Sequence, residues 1–449
     1  MNENKIIQNS HVRLKFPFKS AILNMRAIEV PIRLLIIIVT FYDHRVFVQH
    51  MMCVNIVLFG IFLNTILDSS GERRITDGKP VHNSKRYMVY LLKAPLSLKG
   101  YGAWLCGGAI VSPLYIVTSA ACIEDVQYMY AIAGYEKYVS SSNIDNDECT
   151  KNKKKKVTFT CVPKAYALAY DKVGKWSNVD IGVVKVESPY DFMDKSYEKY
   201  CSYMPNQIRI NYESKYQQPG IDALVMGWGH AEIWRNANDT TDYNMPKLQY
   251  ATTQIVNKTI CQKAYENLPG MSEVIAKYMI CTSRVGNIDD NGDLVNKSKP
   301  VAGGCGQWPF VELSYCEELP PPVTPEDDTR TNRDCPTRRH GICQNDHGGP
   351  LVTWVGSHEV LIGVASVFNL TPESKCTGPY LFTSTHCNGA FLDCIINSEK
   401  PLRRNICDRS AKERGFDFIR RVISWKNHPD GPAANEILRY RPVRPIRNG

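Results

Sequence analysis

No long apolar run marks this 449-residue chain as a membrane protein. Two apolar stretches stand near the N-terminus, Leu34–Tyr42 and Val54–Leu67, and both fall short of the ~20 residues a transmembrane helix needs. An excess of charge of one sign is also missing. The net charge is +9, split as +4 over residues 1–74 (nine Lys/Arg against five Asp/Glu) and +5 over the rest, too little to argue for a nucleic-acid partner. Metal-ligand spacing is absent as well. His340, His347, His358 and His386 fall in one half of the chain, with no His-x-x-x-His or Cys-x-x-Cys pattern among them, so neither a metal nor another cofactor is expected. A content of 43% hydrophobic and 22% charged residues is that of an ordinary globular protein.

What is present in quantity is cysteine. Sixteen of them point to an oxidising compartment. Four Asn-x-Ser/Thr sequons, at Asn238, Asn257, Asn296 and Asn369, agree with secretion and glycosylation. The run Val54–Leu67 follows Met51-Met52 and ends at Asp68-Ser69-Ser70-Gly71, a pattern suited to a signal peptide over 51–70. Residues 1–50 then read as an upstream extension, a gene-model artefact on that account, and no stable membrane span is expected after signal cleavage. The competing reading of this segment is an uncleaved anchor.

From Ile75 onward the chain consists of short β-rich runs broken by turn residues, the pattern of an all-β barrel or sandwich. Tyr87–Leu92, Gly108–Val111, Tyr115–Thr118 and Asp180–Val186 are examples, and a late helix is expected over Phe416–Trp425. Cys149 and Cys161 bracket a lysine-rich stretch and are expected to close it as a basic loop. Lys153–Lys156 would then face acidic proteins or sulfated glycans; the plainer reading is a solvated loop.

The stretch Asn345-Asp346-His347-Gly348-Gly349-Pro350 resembles the Gly-Asp-Ser-Gly-Gly-Pro of chymotrypsin/trypsin-like serine proteases. Further landmarks of that family follow in order: Cys106-Gly107-Gly108, Thr118-Ser119-Ala120-Ala121-Cys122 in place of Thr-Ala-Ala-His-Cys, Asp180-Ile181, Gly227-Trp228-Gly229 and Ser366. The resemblance implies two packed six-stranded antiparallel β-barrels over residues 75–425, a short C-terminal helix and a tail at 426–449. It also implies the disulfides Cys106–Cys122, Cys261–Cys281 and Cys343–Cys376. The connection Cys281–Cys343, with Cys305, Cys316 and Cys335, is far longer than in the family, and Cys387–Cys407 adds Cys387, Cys394 and Cys407. The partners of these six and of Cys201 stay open. If Cys53 leaves with the signal, fifteen cysteines remain, and an odd count implies a free thiol or an intermolecular bond.

The same resemblance places Ala121 where the general base stands and His347 where the nucleophile stands. Only the carboxylate of the triad survives, as Asp180, which is left without an imidazole and is expected to bond barrel backbone. Gly341 falls at the base of the substrate pocket in place of the aspartate of trypsins. Ser366 fixes the alignment of Phe368 on one wall glycine, and Tyr380 falls on the other, so aromatic rings are expected to fill the pocket. The oxyanion amides would come from Asn345 and His347. Residues 71–74 form a short propeptide, and cleavage between Arg74 and Ile75 would free an ammonium for Asp346.

These substitutions imply a secreted pseudoprotease: a binding or regulatory protein acting as cofactor, adaptor or decoy toward extracellular proteases, inhibitors or cascade components. Homologues of this kind in insects serve immune and melanisation cascades and often carry a clip domain, for which residues 71–74 leave no room. The rivals are residual or altered hydrolysis and a cross-linked extracellular structural protein.

Overall fold

The computed structural model describes residues 79–80, 85–294 and 341–439, with breaks at 96–101, 125, 168–171, 232, 237 and 399–405. Arg74, Ile75, Asn296, His340, Cys305, Cys316, Cys335 and the proposed signal segment lie outside the described residues.

Two closed six-stranded antiparallel barrels are formed. The first runs β2 (Met88–Lys93), β3 (Leu105–Ile110), β4 (Tyr115–Thr118), β5 (Met129–Ala133), β6 (Lys155–Pro163) and β7 (Gly182–Val186), and pairing of β6 with β7 closes it. The second runs β9 (Asp222–Gly227), β10 (Gln249–Ile255), β11 (Met279–Val285), β12 (Pro350–Val355), β13 (His358–Leu370) and β14 (Cys376–Ser384), with β9 bonded to both β10 and β12. Closure leaves no free edge in either ring. Short strands attach outside: β1 (Lys79–Pro80) on β10, β8 (Arg209–Ile210) parallel to β13, and β15 (Phe418–Val422) on β6.

The strand runs expected from sequence are strands because β-branched and aromatic side chains pack well on a pleated surface. Ile116 faces Val184 and Val117 faces Val183 across β4 and β7, all buried. Tyr90 meets Trp228 edge-on at 4.9 Å, and the buried indole donates to Glu136 O at 2.7 Å.

Two expectations need correction. Phe416–Trp425 is not a helix: it holds β15, paired in register from Phe418↔Pro163 to Val422↔Phe159. The cause is tertiary, since β5 pairs with β6 only at Lys155 and Lys156, and the rest of that flank of β6 needs a partner. The helices near the C-terminus are Gly389–Ile396, directly after β14, and the short Ala434–Arg439 in the tail.

Cys149 does not pair with Cys161. Cys149 lies in the helix Glu148–Lys153, whereas Cys161 is seven residues into β6, roughly 20 Å along an extended strand. Cys149 bonds Cys201 instead, and Cys161 is a buried free thiol whose pKa burial pushes up to about 12. The three disulfides implied by the resemblance are present, and Cys394 pairs with Cys407. Cys387 is free and exposed among the described residues.

Candidate functional site

Of the residues singled out by the sequence, Ala121, Asp180, His347 and Ser366 meet at the seam of the two barrels. Asp180 enters from the turn before β7. Val179 holds φ 52°, a left-handed backbone unusual for a β-branched residue, and Ile181 N–H closes back on Val179 O at 2.7 Å. The carboxylate is wholly buried and accepts from Ser119 Oγ (2.5 Å), Ala121 N (2.9 Å) and Ser366 Oγ (2.7 Å). Two of these donors are side-chain hydroxyls rather than backbone, and Ser119 was missed by sequence reasoning. Its signal is a hydroxyl two residues before the Ala121 position.

His347 is closer to Asp180 than the sequence suggests. Its Nε2 lies 3.4 Å from Asp180 Oδ2, with the Trp176 ring 5.5 Å away. Asp180 therefore does face an imidazole, reached from the nucleophile's position across the seam, because Ala121 leaves that space open. The approach does not form a hydrogen bond, and His347 Nε2 has no partner of that kind among the described residues.

The loop before β12 keeps its shape without the usual first glycine. Asn345 adopts φ 71°, a region asparagine tolerates better than most residues. Its Nδ2 donates to Ala103 O (3.2 Å) and Asn244 Oδ1 (2.8 Å) and lies 3.3 Å from His230 Nε2. Burial lowers the His230 pKa to about 4, and its Nδ1 faces Ile233 O at 3.0 Å. Gly348 has φ 79°, and a Cβ on it would fall 2.3 Å from Thr118 Oγ1. No described hydrogen bond uses the amides of Asn345 or His347.

Tyr380 lies in the space next to Gly341: a Cβ at Gly341 would sit 1.9 Å from its Cζ, and the ring is only 3% exposed. Phe368 is half-buried and turns toward Trp234, at 5.9 Å between rings. Asp346 is buried, accepting from Gly229 N (2.9 Å) and Cys343 N (3.0 Å). Burial raises its pKa to about 7. No cation faces it among the described residues.

A family model described as Trypsin matches residues 76–303, half of the chain. The chain belongs to the trypsin family. Snake venom serine protease 2B of Craspedocephalus gramineus is 24% identical over 173 residues, 38% of this chain and 54% of that protein. Serine protease grass of Drosophila melanogaster is 24% identical over 252 residues, 54% and 57% of the two chains. Phenoloxidase-activating enzyme 1 of Spodoptera litura is 23% identical over 278 residues, 56% and 67%. The chain thus spans between about half and two thirds of the length of these curated relatives.

Outside the trypsin-family site, the lysine run is engaged within the molecule. Lys153 binds Asp194 (2.6 Å) and Lys154 binds Asp145. Lys155 reaches Ser188 Oγ (2.7 Å), and Lys156 reaches the carbonyls of Asp430, Gly431 and Pro432. Burial lowers the pKa of both Lys155 and Lys156. The expected free basic finger is not formed, because the run ends a helix and begins β6 instead of forming a loop. Of the described sequons, Asn238 and Asn257 are exposed and Asn369 is half-buried in β13, while Asn257 also caps the helix Lys258–Ala264. No described helix is long and apolar enough to cross a membrane.

Proposed function

We propose that this trypsin-family chain is a secreted, non-catalytic homologue that works by binding, as a cofactor, adaptor or decoy among extracellular proteases, their inhibitors or other cascade components. The observation that carries the reading is the joint state of the site: alanine in the base's position, histidine in the nucleophile's, and a tyrosine ring against Gly341. Triad chemistry needs a hydroxyl, an imidazole to take its proton and a carboxylate behind it. Here Ser119 and Ser366 are the hydroxyls nearest Asp180, and both donate to it from within the core. Disulfides fit an extracellular setting. The names of two relatives, a serine protease and a phenoloxidase-activating enzyme, support a place in proteolytic cascades.

We further propose that the conformational switch outlives the chemistry. Cleavage after Arg74 would deliver the Ile75 ammonium to Asp346, a buried acid with two amide donors and no described cation.

A second reading, weak hydrolysis, draws support from the 3.4 Å approach of His347 to Asp180 and from the amides of Asn345 and His347, which no hydrogen bond among the described residues uses. Fluorophosphonate labelling of Arg74-cleaved protein, with a peptide-library cleavage assay, decides between the two. No labelled residue and no cleaved peptide are expected; a labelled side chain or a product that disappears in His347→Ala would overturn the non-catalytic reading.

A further inference from the structure

A second cavity, sharing no residue with the Asp180–His347 site, has a volume of about 710 Å³. It lies where β8 joins β13, beside the helix Gly389–Ile396. Its size is within the ~300–1,000 Å³ common for ligand sites. Two arginines line it, the half-buried Arg86 just before β2 and the exposed Arg209 in β8, and neither has an acidic partner among the described residues. The carboxylates of the lining are already engaged: Glu359 holds the buried Lys85 ammonium, and Asp393 accepts from Asn397 Nδ2 at 2.6 Å. At the wall, the Tyr87 hydroxyl is buried beside Glu359 yet makes no hydrogen bond of normal geometry.

We propose that this cavity binds a sulfated oligosaccharide. Guanidinium presents a planar fork of donors that matches a sulfate group, and two unpaired forks give the cavity its anion preference. The remaining polar lining (Asn206, Gln207 and Ser357) offers amides and a hydroxyl of the kind that pair with sugar hydroxyls. Backbone pairing of Arg209 with Val360 fixes one wall, and Asn206 N–H on Arg86 O (2.9 Å) ties the other to it. The site is independent of whether the seam is catalytic.

The test is calorimetric titration of the full secreted chain with a heparin-derived sulfated tetrasaccharide, its desulfated counterpart and a poly-glutamate peptide. The sulfated sugar is expected to bind more tightly than both. Arg86→Gln with Arg209→Gln should weaken it at least ~10-fold, the loss of charge-assisted contacts. A Lys153→Gln/Lys156→Gln control should change affinity less than ~2-fold, since a change to internally tied surface charge has a small effect. An unchanged thermal midpoint in each variant shows that the fold is intact. No binding of the sulfated sugar, or undiminished binding in the arginine variant, overturns the proposal. Equal binding of poly-glutamate overturns the saccharide assignment. Fluorophosphonate labelling reads a different site, so either outcome there leaves this result in place.

Discussion

At the scale of single residues, Asp180 and His347 look like partners but contribute to stability very differently. Asp180 is buried at 0% exposure with three donors aimed at it, from Ser119, Ala121 and Ser366. Removing the carboxylate leaves two hydroxyls and an amide unmet in the seam, whereas removing His347 takes away a ring that makes no hydrogen bond through Nε2. Asp180→Ala is therefore expected to cost about 3 kcal/mol of folding stability, and His347→Ala less than about 1.5 kcal/mol. Urea denaturation of the two variants checks the order; equal losses would show that the imidazole holds the seam together. The identities at 121, 180 and 347 were legible in the sequence. The direction of the His347 side chain was not, because it depends on how the Asn345–Gly349 loop docks on the first barrel, where Gly107 N–H donates to His347 O at 2.7 Å.

Among the elements, the strands lining the barrels were legible and the outer layer was not. Tyr115–Thr118 carries its β preference in every residue, and its burial leaves no competing structure. Phe416–Trp425 is different. Its apolar residues at 416, 419 and 423 keep helical spacing, yet the unfilled flank of β6 takes the segment as β15, so long-range pairing overrides the local pattern. The same limit explains Cys149, whose nearest cysteine in sequence is carried off by an extended strand while Cys201 comes back beside it. β15 is anchored by Trp425, fully buried, with its indole donating to Val157 O at 2.8 Å and its ring edge-on to Tyr128 at 5.0 Å. Trp425→Ala is expected to cost about 4 kcal/mol, the usual scale for emptying a buried aromatic site. Limited proteolysis should then cut between β15 and the final helix; a variant as resistant as the parent would mean the tail is held elsewhere, by Lys156 and its three carbonyls.

For the whole molecule, the consequential group is Asp346. Its pKa of about 7 in the folded chain stands above the ordinary carboxyl value of ~3.9, with burial as the main cause and the two amide donors opposing it. Between those values the folded chain binds the proton more tightly than the unfolded chain, so stability falls as pH rises from about 4 to about 7. Above that range the penalty is constant, because both states are ionised. Asp346→Asn, which has no charge to bury, should remove the slope. Cleavage after Arg74 should act in the same direction by a different route: an ammonium delivered to the carboxylate favours its ionised form and lowers the folded pKa. Denaturation midpoints measured from pH 4.5 to 7.5 on uncleaved, cleaved and Asp346→Asn protein separate these effects. The uncleaved chain should lose stability across the range while the other two do not. If cleaved and uncleaved chains follow one curve, the Ile75 ammonium does not reach Asp346, and the switch was lost together with the chemistry.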